Sequence, residues 1–199
     1  GTISSTRQYA KAGQVDIRSL IFYGLVATVF SGAGALLANW LAKTVGGGPL
    51  MYLVIAVLVI LFLWTLLNPS LGSETRPAKV SRRAFFTGAS PLIGAYDGFL
   101  GPGTGSFWIA ACVYFLGHDM KRAAGHAKWM NLCSNIGALA MFIYLGSYRF
   151  DYAAAMGVGQ IIGATLGAKL AVSKGARLIR PFFLIAVAAT LAKLVYGLL

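Results

Sequence analysis

The sequence predicts an all-α fold: a polytopic helical membrane protein with an inverted-topology repeat and a broken, re-entrant, glycine-rich helix. Three observations predict it. The 199 residues are 58% hydrophobic and only 11% charged, with a mean hydropathy of +0.73. A soluble domain carries about 25% charged residues, so this chain has too little polar surface to cover a soluble fold. Long apolar runs alternate with short loops that hold most of the basic residues, and one apolar region is interrupted by "YDGFLGPGTGSF", Tyr96 to Phe107. The net charge of +12 sits in those loops, as it does in cytoplasmic loops, and does not point to a nucleic-acid partner.

The elements follow in order. Gly1 to Ala12 reads as the tail of a helix that began earlier, so the chain is expected to be N-terminally truncated. Leu20–Leu41 and Pro49–Leu67 are the first complete spans, with Pro49 suited to a helix start. A polar loop covers residues 68–83. Ala84–Phe99 and Ser106–Gly117 are apolar but only about 12 to 16 residues each, where a full crossing needs about 20. They read as two half-helices flanking the glycine patch, a broken helix over 84–117. Trp129–Gly146, Tyr152–Val172 and Arg180–Leu198 complete the spans. Cys112 and Cys133 lie in apolar segments and imply neither a disulfide framework nor a metal site.

Basic residues alternate from loop to loop: Arg7, Lys11 and Arg18; then Arg76, Lys79, Arg82 and Arg83; then Lys121, Arg122 and Lys128; then Lys174, Arg177 and Arg180. The loops near Lys43 and near Arg149 and Asp151 are almost neutral. The alternation is consistent only if the broken segment starts and ends on the cytoplasmic side.

Shifting the chain by 133 residues aligns Gly13 with Gly146, Gly24 with Gly157, Gly34-Ala35 with Gly167-Ala168 and Leu37-Ala38 with Leu170-Ala171. Pro49 falls within one residue of Pro181. The spans align too, and in opposite directions, which describes an inverted repeat of the kind used by secondary transporters. Residues 1–69 are then the remainder of a first repeat, 70–83 a cytoplasmic loop and 84–199 the second repeat. An intact protein is expected to carry another glycine break upstream of Gly1.

Non-helical backbone at membrane depth persists only inside protein or along a wet cavity. Gly103, Thr104, Gly105 and Ser106 open a new helix there, whose unpaired N–H groups suit an anion. The competing reading is a bend with Thr104 or Ser106 as an ordinary cap. "GPGTGS" is not a P-loop, since no lysine follows. Asp97, an acid within a membrane segment, either carries a coupling proton or holds the turn by accepting backbone N–H bonds. Lys128, Asn131 and Asn135 stand at i, i+3 and i+7 on one helical face, with Ser134 beside it: an anion-binding wall, or ordinary interhelical polar contacts. The 133-residue shift places Gly1–Ser4 on Ser134–Gly137. His126 lies roughly opposite that face and is a second candidate for proton coupling.

The Tyr96–Phe107 run, "GHAKWMNLCSNIG" (Gly125–Gly137) and "SKGARLIRP" (Ser173–Pro181) together resemble the sulfite exporter TauE/SafE family of bacterial membrane transporters, over essentially the whole chain. The resemblance implies a multi-pass permease of the bacterial inner membrane that moves sulfite, organosulfonates or related small anions. It implies glycine breaks in both halves, of which this chain contains the second. The positions that match are Asp97, Gly101, Gly103, Gly105, Ser106, His126, Lys128, Asn131, Ser134 and Asn135. The expected partners are a small anion and the bilayer, with no cofactor; homo-oligomerisation is left open. Two other classes stand beside the transporter: an intramembrane serine hydrolase, from Ser106 with His118 or His126, and an anion channel.

Overall fold

A computed structural model describes residues 1–45, 48–67, 75–146 and 150–174, with scattered positions between 181 and 196. The regular elements among the described residues are all helical. They are α1 (Thr2–Lys11), a 3-10 turn (Arg18–Leu20), α2 (Ile21–Val45), α3 (Gly48–Leu67), α4 (Arg82–Phe99), α5 (Thr104–Leu116), α6 (Met120–Tyr144) and α7 (Phe150–Lys174). The expected span Arg180–Leu198 lies largely outside the described residues, as do Arg149, Arg177 and Arg180. Arg18–Thr44 and Met156–Ser173 are long and apolar enough to cross a membrane; Met51–Ile60 and Thr104–Leu116 are shorter apolar helical stretches.

Local chemistry sets the boundaries. The Ser81 hydroxyl accepts from Ala84 N at 3.2 Å and starts α4. The Asp119 carboxylate accepts from Lys121 N and Arg122 N at 2.9 and 3.0 Å and starts α6. This cap begins α6 nine residues before the apolar run at Trp129, over a polar stretch that hydropathy does not mark. Gly117, at φ 65°, stops α5.

α1 and α6 end in the same way, 133 residues apart. Ala12 N donates to Gln8 O at 3.1 Å and Gly13 N to Ala10 O at 3.0 Å. Leu145 N donates to Met141 O at 2.9 Å and Gly146 N to Ile143 O at 3.1 Å. Gly13 and Gly146 take φ of 68° and 66°. Helix contacts pair likewise: α2 packs on α6, α1 on α7, and α1 on α6.

α2 is the hub, with α4 on one side and α6 on another. Against α4 the backbones almost touch: a Cβ at Gly94 would lie 2.8 Å from Ala27 O, and one at Gly98 would overlap Ser31 O. Small residues four apart let membrane helices approach this closely. Against α6, the Thr28 hydroxyl reaches Cys133 O at 2.9 Å. The core is aromatic, with Trp108 and Phe86 fully buried and stacked at 6.2 Å, and Phe85 edge-on to Phe86 at 4.9 Å. The outward faces of α2, α3 and α7 are apolar: Phe22 is 68% exposed and Ile60 68%. Such surface is matched by lipid rather than water.

Candidate functional site

α4 and α5 are joined by the break that the sequence marks. Leu100 N and Gly101 N both donate to Tyr96 O, at 2.8 and 3.3 Å. The chain then turns through Gly101 and Gly103, at φ 81° and 85°, a left-handed conformation that excludes most side chains. The Tyr96 hydroxyl donates to Pro102 O at 2.6 Å, and its ring meets Phe107 edge-on at 4.9 Å across the turn. Tyr96 thus clasps the break from both ends, a role sequence reading missed. Gly103 is the N-cap of α5, so no side chain caps the helix. Neither Thr104 nor Ser106 takes the capping role. The Thr104 hydroxyl turns back to Gly101 O at 2.7 Å, and Gly105 and Ser106 are half-buried in the first turn.

Asp97 is the meeting point of three helices. Its carboxylate is 8% exposed. It accepts from the Ser134 hydroxyl of α6, and the Thr104 side chain of α5 stands nearby with its own proton given to Gly101 O. Its hydrogen-bond partner is therefore a side chain of a neighbouring helix, not the backbone N–H groups of its own turn that a purely structural role would use. Ser134 is fully buried, with its hydroxyl committed to Asp97.

α6 is unbroken from Met120 to Tyr144, so Lys128, Asn131 and Asn135 keep their common face. Lys128 and Asn131 are half-buried and Asn135 exposed. Among the described residues no acid pairs with Lys128. From Lys128 to Ser134 the rise along α6 is about 9 Å, so the face runs from a half-buried cation to the carboxylate cluster. At the other half of the 133-residue correspondence, the hydroxyl of Ser4 hydrogen-bonds that of Thr165 on α7.

His126 is not part of this cluster. Its Nδ1–H donates to Arg122 O at 2.8 Å, and its ring stacks on Phe86 at 6.0 Å and lies tilted against His118 at 4.7 Å. Burial, with Arg122 and Arg82 nearby, holds His118 below the ordinary imidazole range. Ser106 and His118 lie at opposite ends of α5, about 18 Å apart along its axis, and the fold assembles no serine–histidine dyad from them.

The chain matches the sulfite exporter TauE/SafE family over residues 1–194. It is 37% identical over 196 residues to the probable membrane transporter protein YfcA of Escherichia coli K12, covering 98% of this chain and 71% of the relative. It is 36% identical over 196 residues to a probable membrane transporter protein of Haemophilus influenzae, covering 98% and 75%. A probable membrane transporter protein ORF9 of a Sinorhizobium species is 35% identical over 185 residues, covering 93% and 69%. No solved structure matches the chain.

Proposed function

The chain belongs to the sulfite exporter TauE/SafE family, and from that premise we propose that it is a multi-pass secondary transporter of the bacterial inner membrane. It carries small anions, such as sulfite or organosulfonates, by alternating access. The observation that carries this reading is the meeting of three elements at the break: the uncapped start of α5, the buried Asp97 of α4 and the polar face of α6. The N-terminus of a half-helix favours negative charge. Lys128, Asn131 and Asn135 supply a cation and two amides along the approach, and the Gly103–Ser106 turn supplies Gly105 N, since Thr104 N and Ser106 N already donate to Gly101 O and Gly103 O.

Asp97 gives the site its coupling. An anion at the start of α5 stands close to this carboxylate, and two negative charges in a dry site repel strongly. A proton on Asp97 removes the repulsion, so proton and anion bind together and cross together. Ser134 positions the carboxyl group, and Thr104 the turn at Gly101, instead of contacting the anion. The matched ends of α1 and α6, and the paired contacts of α2 with α6 and α1 with α7, support two halves of like build. Residues 1–69 and 84–199 are those halves, joined by 70–83, and rocking of one against the other exposes the site to each side in turn.

The test is transport by the full-length protein in proteoliposomes, with sulfite, thiosulfate, sulfonates and carboxylates each offered under an imposed pH gradient. Saturable, gradient-driven movement of one of these, with its KM raised in Lys128→Ala, is the expected result. If none is moved or bound, the anion assignment fails. Unsaturable current driven by voltage alone would make the protein a channel instead, and labelling of Ser106 by a fluorophosphonate would reinstate the hydrolase.

A further inference from the structure

A second site lies away from the break, on the outer face of α4 and α5. Two adjoining apolar hollows share Ile93, Ala111 and Phe115. One, of about 360 Å³, runs between Val80, Ala84, Ala89 and Leu92. The other, of about 480 Å³, extends past Phe107 and Tyr114 to Ile60 of α3. Together they make one slot. From Ala84 to Ile93 it follows α4 for about 14 Å, at 1.5 Å per residue. Leu92 on its wall is 73% exposed.

One end of the slot is basic and fixed in place. Residues Arg76–Lys79 form a strap on the end of α5: Arg76 N donates to Gly117 O and Lys79 N to Phe115 O, both at 2.8 Å. A Cβ at Gly117 would overlap Arg76 O, so the strap sits on bare backbone. The strap holds the Lys79 ammonium 3.3 Å from the centroid of the Tyr114 ring, at the rim of the slot. Arg83 stands exposed beside Ala84 at the same end, and Arg76 is exposed on the strap. The far end, at Ile93, Phe107 and Ile60, is wholly apolar.

We propose that this slot binds one anionic phospholipid, with an acyl chain lying between α4 and α5 and its phosphate held by Lys79 and Arg83. The charge asymmetry selects the ligand. A neutral detergent or a second apolar helix would fill the slot without using the strap. A free phosphate would use the strap and leave the slot empty. Basic pockets beside transmembrane helices recognise anionic headgroups through this combination, and the aliphatic stem of Lys79 can lie along the apolar rim while its charge meets the phosphate. Because the strap leads directly into Ser81 and α4, a lipid seated here braces the first half of the broken segment from outside.

The experiment is native mass spectrometry of the full-length protein released from nanodiscs that contain equal phosphatidylglycerol and phosphatidylcholine. One phosphatidylglycerol per chain should be retained, several-fold over phosphatidylcholine. Lys79→Gln/Arg83→Gln should lower that preference to near unity. Ala84→Phe, which narrows the slot and leaves the charge unchanged, should lose the lipid altogether. Equal retention of both lipids by the wild type, or phosphatidylglycerol retention untouched by both variants, would overturn the proposal. So would efficient disulfide formation between chains carrying Leu92→Cys, which would give the slot to a second copy. Retention of inorganic phosphate in place of lipid would give the strap to a soluble anion.

Discussion

The Ser134 hydroxyl on α6 donates to the Asp97 carboxylate on α4, across 37 residues of sequence and between two buried side chains. Removing the donor leaves a buried carboxyl group short of a partner, which costs about 1–3 kcal/mol. Ser134→Ala is therefore expected to lower the melting temperature in detergent. Asp97→Asn keeps a carbonyl oxygen for Ser134 but cannot exchange a proton. It should melt close to the wild type and fail to accumulate substrate under a pH gradient. An Asp97→Asn protein that still couples to the gradient would move the proton elsewhere.

Lys128 is a half-buried cation without an acidic partner among the described residues. A charge-assisted hydrogen bond is worth about 1.5–3 kcal/mol, so Lys128→Ala should raise the KM for the transported anion about 10- to 100-fold. Lys128→Arg should recover part of it. Radiolabelled uptake at graded substrate concentrations separates this from a fall in maximal rate.

The contact between α2 and α4 leaves no room for a methyl group. Gly98→Ala drives a Cβ into Ser31 O, and overpacking of this kind costs about 1–3 kcal/mol. Gly88, on the same helix, has nothing within 4 Å of its virtual Cβ. Gly88→Ala should be neutral or stabilising by up to about 1 kcal/mol. Thermal melts should fall for Gly98→Ala and hold or rise for Gly88→Ala.

Gly13 and Gly146 cap their helices at nearly the same φ, and neither has a neighbour within 4 Å of a virtual Cβ. The cost of alanine there is the backbone term alone, about 1–2 kcal/mol. Gly13→Ala and Gly146→Ala should therefore destabilise equally. Unequal shifts in melting temperature would mean that the two ends are alike in appearance only.

His118 has a folded-state pKa below that of a free imidazole, chiefly through burial, with Arg122 and Arg82 adding to it. Below the unfolded value, near about 6.5, the unfolded chain takes up a proton that the folded chain resists. Stability is then complete above that value and declines as pH falls through it toward the folded pKa. His118→Gln should flatten the acid side of a melting-temperature profile between pH 8 and 5.

The break, the helix ends and the polar face of α6 were legible in the sequence because each is written locally. Glycine and proline at 101–103 announce the turn, and the 3, 7 spacing of Lys128, Asn131 and Asn135 survives in an uninterrupted helix. The pairing of Asp97 with Ser134 was not legible, since no period links positions on different helices. Nor was the strap of Arg76–Lys79, whose bonds join backbone atoms and leave no trace in side-chain pattern. The early start of α6 escaped for a different reason. Its first turns are polar, and a cap such as Asp119 weighs little in an average over apolar residues.

Tyr96 uses its carbonyl to take Leu100 N and Gly101 N and its hydroxyl to reach Pro102 O. The turn is thereby tied within a stretch of seven residues, with no help from other helices in those bonds. A flexible loop loses conformational freedom when a ligand orders it, and that loss weakens binding. Here the loss has been met during folding, so a solute arriving at the start of α5 meets a turn that is already formed.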